Sequence, residues 1–209
     1  MAGKIILPEP VEQDGFNPKA VLPFGVTPAH IRAAMRDFID FLTVIDRQLQ
    51  EKDMERFENI LQQAAFSGMV SELMATRIPQ YCKTIVKNRY HNGHPDMLPA
   101  GKYPNDEAQH AGTDGIEIKA SRYLQGWQGH NAEDAWLMVF VFQSGREGPE
   151  VKGTSAFKFL LVVGAMLRKS DWQFSGRSET SRRTITASVT RSGADKMMAN
   201  WIYKCKELR

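Results

Sequence analysis

The chain has 209 residues, of which 42% are hydrophobic, enough apolar material for one globular unit with a sizeable core. Its net charge of +3 is unevenly spread: residues 151–209 hold 12 Lys or Arg against 4 Asp or Glu, whereas residues 1–150 hold 15 against 20. No apolar run approaches the roughly 18 residues of a membrane span, residues 1–14 lack the basic-then-apolar layout of a secretory signal, and Cys82 and Cys205 form neither a CxxC pair nor a disulfide framework.

These features lead to the expectation of no membrane-spanning helix and give zinc or redox chemistry little support, leaving an expected cytoplasmic protein with two buried or incidental thiols. The basic C-terminal part suits an anionic partner such as nucleic acid, and it equally suits an unevenly charged solvated surface.

Residues 1–26 carry four of the ten prolines and read as an irregular arm. Thr27-Pro28 is an N-cap followed by proline at the first helical position. Ile31, Met35, Phe38, Leu42, Ile45 and Leu49 then recur at steps of four and three, predicting one long amphipathic helix. A second helix is expected from about Asp53 through Phe57, Leu61 and Phe66 to Leu73, with Pro79 as its latest end. The two form a helical pair, packed in the core or at a dimer interface.

After Tyr90 the segments shorten and turn to strand character. The stretch 116–120 is a short strand, AWLMVFVF (135–142) a strand buried on both faces, and 157–167 another. Thr184, Thr186, Ser188 and Thr190 alternate with Ile185, Ala187 and Val189, a strand with one hydroxyl face and one apolar face. ADKMMANWIYKCK (194–206) closes the chain as a predicted helix.

The stretch GHPDMLPAGKYPNDEAQHAGTDGIEIKAS (93–121) carries the chemistry. Glu117 and Lys119, two apart on a strand, share one face, while Ile116 and Ile118 take the other. If Asp96 ends a neighbouring strand, its carboxylate and that of Glu117 converge on a hard cation.

Pro95-Asp96 followed by Glu117-Ile118-Lys119 resembles the PD-(D/E)xK nuclease superfamily, which includes many type II restriction endonucleases. The resemblance spans roughly residues 68–142. It implies an α/β fold, a restriction-endonuclease-like central mixed β-sheet flanked by helices, here with an N-terminal helical pair. It further implies Asp96, Glu117 and the Ile118 carbonyl as ligands of Mg²⁺, with Mn²⁺ as a substitute, and Lys119 as the group that orients or activates water. Glu72, on the preceding helix, is a candidate for the additional acid of such sites. Asp114, Gln125, Gln128 and His94 are possible accessory residues, each as readily structural.

His91, His94 and His130 are scattered without a helical HxxxH or a cysteine partner, and read as surface groups or as neighbours of the site rather than as a zinc centre. Arg177, Arg182 and Arg183, with Thr184, Thr186 and Arg191, could contact phosphates and base edges, or form a solvated turn. The expectation is a single nuclease domain over 1–209, with an arm at 1–26, a helical region at 27–78 and a sheet-rich catalytic and DNA-binding region at 90–209. It would be a Mg²⁺-dependent, sequence-specific endonuclease acting on double-stranded DNA as a homodimer. A structure-specific or nicking nuclease, and a non-catalytic DNA-binding protein keeping the fold, are the alternatives.

Overall fold

The computed structural model describes residues 5–129, 131–145, 155–174 and 186–209. Helix α1 (Pro28–Gln50) begins as its sequence dictates: the Thr27 hydroxyl accepts from the His30 N–H, and the His30 ring accepts from the Thr27 N–H. Its buried stripe, Ile31, Ala34, Met35, Phe38, Ile39 and Leu42, follows the predicted spacing.

The second helix starts later than its apolar spacing suggests. Asp53 lies in a turn at φ 56°, where the Met54 N–H returns to the Leu49 carbonyl. A single turn, α2 (Phe57–Ile60), follows, its first N–H bonded to the Asp46 carboxylate at 2.8 Å. Only then does α3 (Gln63–Tyr81) begin. It also runs past Pro79: a proline in the last turn removes only its own hydrogen bond, and the Cys82 N–H closes the helix on the Ile78 carbonyl.

Six strands make the main sheet: β1 (Ile85–Lys87), β2 (Met97–Pro99), β3 (Ile116–Ser121), β5 (Ala135–Gln143), β6 (Lys158–Leu167) and β9 (Trp201–Lys204), in the order β1-β2-β3-β5-β6-β9. Only β3 and β5 are parallel, with Glu117 opposite Leu137 and Lys119 opposite Val139; the other pairs are antiparallel. A smaller sheet has the order β4 (Gln128–Gly129), β8 (Ala187–Val189), β7 (Trp172–Phe174), and α4 (Arg191–Ala199) follows β8.

The closing helix expected over 194–206 is in fact two elements. Helix α4 starts at Arg191 and ends at Asn200, whose side chain bonds the Val21 and Gly164 carbonyls, and the chain then pairs with β6 as β9. The buried Ile202 and Tyr203 stabilise the strand through contacts that no local period reveals.

Alternation on the strands separates two cores. Ile116, Ile118, Met138, Phe140 and Phe142 face α1 and α3, where Phe38 packs its ring against Phe66, Phe157 and Phe159. Leu137, Val139, Val141, Leu161 and Val163 face the opposite way, onto Trp127, Trp172, the small sheet and α4. The architecture is mixed α/β, a mixed sheet flanked by helices. Cys82 and Cys205 are buried free thiols, and no helix among the described residues is long and apolar enough to cross a membrane.

Candidate active site

Gly115 brings Asp96 against β3. A Cβ at this position would lie 2.1 Å from the Met97 carbonyl oxygen and 2.4 Å from the Pro95 ring, so only glycine allows the two segments this approach. The Asp96 carboxylate then accepts from the Ile118 N–H at 2.7 Å. In a strand the N–H and C=O of one residue leave on the same edge, so the Ile118 carbonyl also points toward Asp96, beyond the single β2–β3 pair at Met97 and Ile116.

Buried Asn88 anchors the loop behind this contact. Its amide donates to the Pro95 and Ala108 carbonyls at 3.0 and 2.8 Å, its side-chain oxygen accepts from the Tyr90 and Ala108 N–H groups, and its own N–H bonds the Asp96 carbonyl at 2.8 Å. Its side chain and N–H thus knit residues 88–96 together and tie them to Ala108, a positioning role that no local sequence pattern reveals.

Glu117 and Lys119 project from β3 on the face away from α1 and α3. They enter a cleft of about 410 Å³ between the two sheets, with Leu137 and Trp172 as apolar walls. The Lys119 ammonium is paired with Glu117 Oε1, and His94 Nδ1 lies 3.0 Å from Glu117 Oε2. Burial pushes the Glu117 carboxyl up, but the His94 hydrogen bond and the Lys119 charge outweigh it and hold the group ionised, well below the usual range. Asp96 moves oppositely: burial, then the Glu117 charge, raises its carboxyl far above an ordinary aspartate. Burial lowers the Lys119 ammonium and the His94 imidazole, yet in both the facing carboxylates prevail and the net shift is upward.

The structure therefore brings together Asp96, Glu117, the Ile118 backbone, Lys119 and His94. Glu72 lines an adjoining cleft with Asp96, but its side chain is 64% exposed and ion-paired with Lys87, a solvent-side position rather than one inside the acid pair. Asp114 is taken up by Lys102 and Tyr103, and Gln125 is exposed in the turn before β4. Gln128, on β4, lines a further cleft with Lys119, opposite Ser188 of β8.

Of the expected DNA-binding residues, Arg177, Arg182, Arg183 and Thr184 lie outside the described residues. Thr186 is half-buried, and Arg191 is exposed at the start of α4, which Thr190 caps by accepting from the Gly193 N–H. Over β8 the expected alternation is present: Ala187 and Val189 are buried while Ser188 faces outward between Gln128 and Gln173.

Two residues beside the acid pair escaped the sequence reading. His110 stacks on His94 with ring centroids 5.4 Å apart, and Glu133 Oε2 lies 3.4 Å from His94 Nε2. For Glu133 a signal existed, an acid two residues before a fully apolar strand that runs parallel to the acid-bearing one. No family model, curated protein or solved structure matches the chain.

Proposed function

We propose that this protein is a divalent-metal-dependent nuclease of the PD-(D/E)xK, restriction-endonuclease-like kind, hydrolysing phosphodiester bonds of double-stranded DNA. One observation carries the reading: the Asp96 carboxylate is bonded to the backbone of the strand that presents Glu117 and Lys119 to a single cleft.

The donor set fits Mg²⁺. Asp96 and Glu117 offer carboxylate oxygens and Ile118 a carbonyl, the hard ligands this ion prefers, with few protein ligands and room for water. An ionised Glu117 that pushes the neighbouring Asp96 toward protonation is also an arrangement a dication relieves. When bound, Mg²⁺ or Mn²⁺ would lower the pKa of a ligated water and stabilise charge on the phosphoryl and leaving oxygens. Lys119, kept protonated by Glu117 and Asp96, places positive charge beside the attacking water and the scissile phosphate. His94 holds Glu117 from behind and keeps it ionised. Leu137 and Trp172 limit water in the cleft, which strengthens each of these interactions.

We further read the enzyme as sequence-specific and homodimeric, since two-fold DNA sites are most simply cut by two-fold proteins. The polar face of the small sheet, Gln128, Ser188 and Gln173, borders this side of the molecule and suits a groove. Incubation with mixed-sequence plasmids should give discrete fragments with Mg²⁺ or Mn²⁺ and none with Ca²⁺. Glu117→Ala and Lys119→Ala should abolish cleavage while retaining DNA binding in Ca²⁺. Wild-type cutting by both variants would remove the site from the reaction; a response to branched or mismatched DNA alone would favour a structure-specific nuclease.

A further inference from the structure

We propose a second metal site, distinct from the acid pair, in which His94 Nε2, His110 and Glu133 bind a borderline divalent transition ion of the Zn²⁺ kind. The three side chains offer ligand atoms within 4.8 Å of one another on the wall of the cleft that holds Glu117 and Lys119.

The geometry at His94 is the strongest sign. Its Nδ1 is committed to Glu117 at 3.0 Å, so Nε2 is the free ligand atom. That nitrogen is buried and has no hydrogen-bond partner, although Glu133 Oε2 is 3.4 Å away. A buried nitrogen and a carboxylate oxygen that face one another without a hydrogen bond leave a place where a cation can sit between them. Ligand bonds of about 2.1 Å in a tetrahedral set place the ligand atoms about 3.4 Å apart, the spacing already present for this pair.

His110 completes the set. Its ring stacks on His94 at an interplanar angle of 20°, and the backbones of the two segments are bonded through His94 N–H to the Gln109 carbonyl and Ala111 N–H to the His94 carbonyl. The His110 side chain is exposed, and its ligand nitrogen lies within 4.8 Å of the other two ligand atoms.

The donor chemistry sets the ion. Two imidazoles with one carboxylate favour Zn²⁺, Co²⁺ or Ni²⁺ over Mg²⁺, whose preference is oxygen. Glu117 behind His94 is the carboxylate partner that metal-bound histidines characteristically have, fixing the ring and leaving Nε2 to the ion. Three protein ligands leave a coordination position open to the cleft, so the site would hold water or a phosphate oxygen beside Lys119.

The test reads binding, so it stands whether or not the protein cuts DNA. Full-length protein stripped with chelator and returned to excess Mg²⁺ is titrated calorimetrically with Zn²⁺, and separately with Co²⁺ while its visible d–d absorption is followed. One ion per chain is expected, with d–d bands of a nitrogen-ligated site. His110→Ala and Glu133→Gln should each weaken Zn²⁺ by at least about tenfold and remove the Co²⁺ bands, while Asp96→Asn retains both. Circular dichroism melts establish that the variants fold; His110 is exposed, so its substitution carries little structural risk. Absence of Zn²⁺ binding by the wild type over Mg²⁺ overturns the proposal. So does binding lost in Asp96→Asn but kept in both His110→Ala and Glu133→Gln, which would assign the ion to the acid pair.

Discussion

Asp96→Asn separates what the acid pair does for folding from what it does for metal. The amide keeps an oxygen for the Ile118 N–H, now at 2.7 Å from the carboxylate, and removes one of two adjacent buried negative charges. In the folded protein the Asp96 carboxyl is raised, by burial first and by Glu117 second. A raised acid favours folding while it holds its proton, and this contribution is lost as pH rises from the ordinary aspartate value through the raised one. Wild type should therefore lose stability relative to the variant across that window, by up to about 4 kcal/mol at pH 8 in chelator, since the carboxyl is raised from 3.8 to about 7. For a chain of this size that is about 8 to 16 °C in Tm.

Divalent ion should narrow this gap. An ion at about ten times its dissociation constant stabilises the wild type by about 1.4 kcal/mol. Asp96→Asn should gain little from the same ion, because half of the charge that holds it is gone. Differential scanning fluorimetry in chelator, Mg²⁺ and Ca²⁺, over pH 5 to 9, reads both effects. Uniform destabilisation of the variant in chelator, together with equal Mg²⁺ responses in both proteins, would refute this account of the site.

Two further substitutions probe the scaffold. Arg56 and Glu58 form a buried pair at 3.2 Å, with side chains 5% and 0% exposed, and Arg56 also donates to the Ser155 carbonyl while Glu58 accepts from the Gly145 N–H. Arg56→Met should cost about 3 to 5 kcal/mol in urea unfolding by stranding the Glu58 carboxylate, and adding Glu58→Gln should recover much of it; equal losses in the single and double variants would contradict the pairing. Asp171 joins the segment before β7 to α4: burial alone would raise its carboxyl, but the Arg168 N–H and Lys196 prevail and depress it. That contribution is present above the ordinary aspartate value and lost as pH falls through the depressed one, so Asp171→Asn should cost about 1 to 2 kcal/mol at pH 7 and progressively less as pH falls below the ordinary aspartate value. A loss independent of pH would count against the charge as its source.

Where a local period was enough, the fold was legible. Thr27-Pro28 and the steps of four and three define α1, and β5 announces itself because every residue from Ala135 to Phe142 is buried. The period misled where partners decide. MMANWIYK has spacing that a helix would accept, yet Asn200 is held by the Val21 and Gly164 carbonyls, and Trp201–Lys204 completes the edge beside β6. Strands β4, β7 and β8 are two or three residues long, too short to carry a period, and exist because segments distant in sequence pair.

The candidate site divides along the same line. Glu117 and Lys119 are legible because a strand's period of two fixes their common face whatever surrounds them. Asp96 needed the family resemblance, since its place depends on Gly115 allowing the close approach and on Asn88 fixing the loop. His94, His110 and Glu133 are 16 and 23 residues apart in succession and meet only because a loop-to-loop bridge at His94 and His110 lies over the start of the parallel β3–β5 pair. The features that sequence could not supply are thus those that join segments, and Glu117 is where they meet the features it could. One of its oxygens serves Lys119 on its own strand and the other serves His94 from the bridged loops. The charge state of the acid pair is therefore set as much by the loop assembly as by the motif, and a PD and an ExK on an unsupported loop would lack the hydrogen bond that keeps Glu117 ionised.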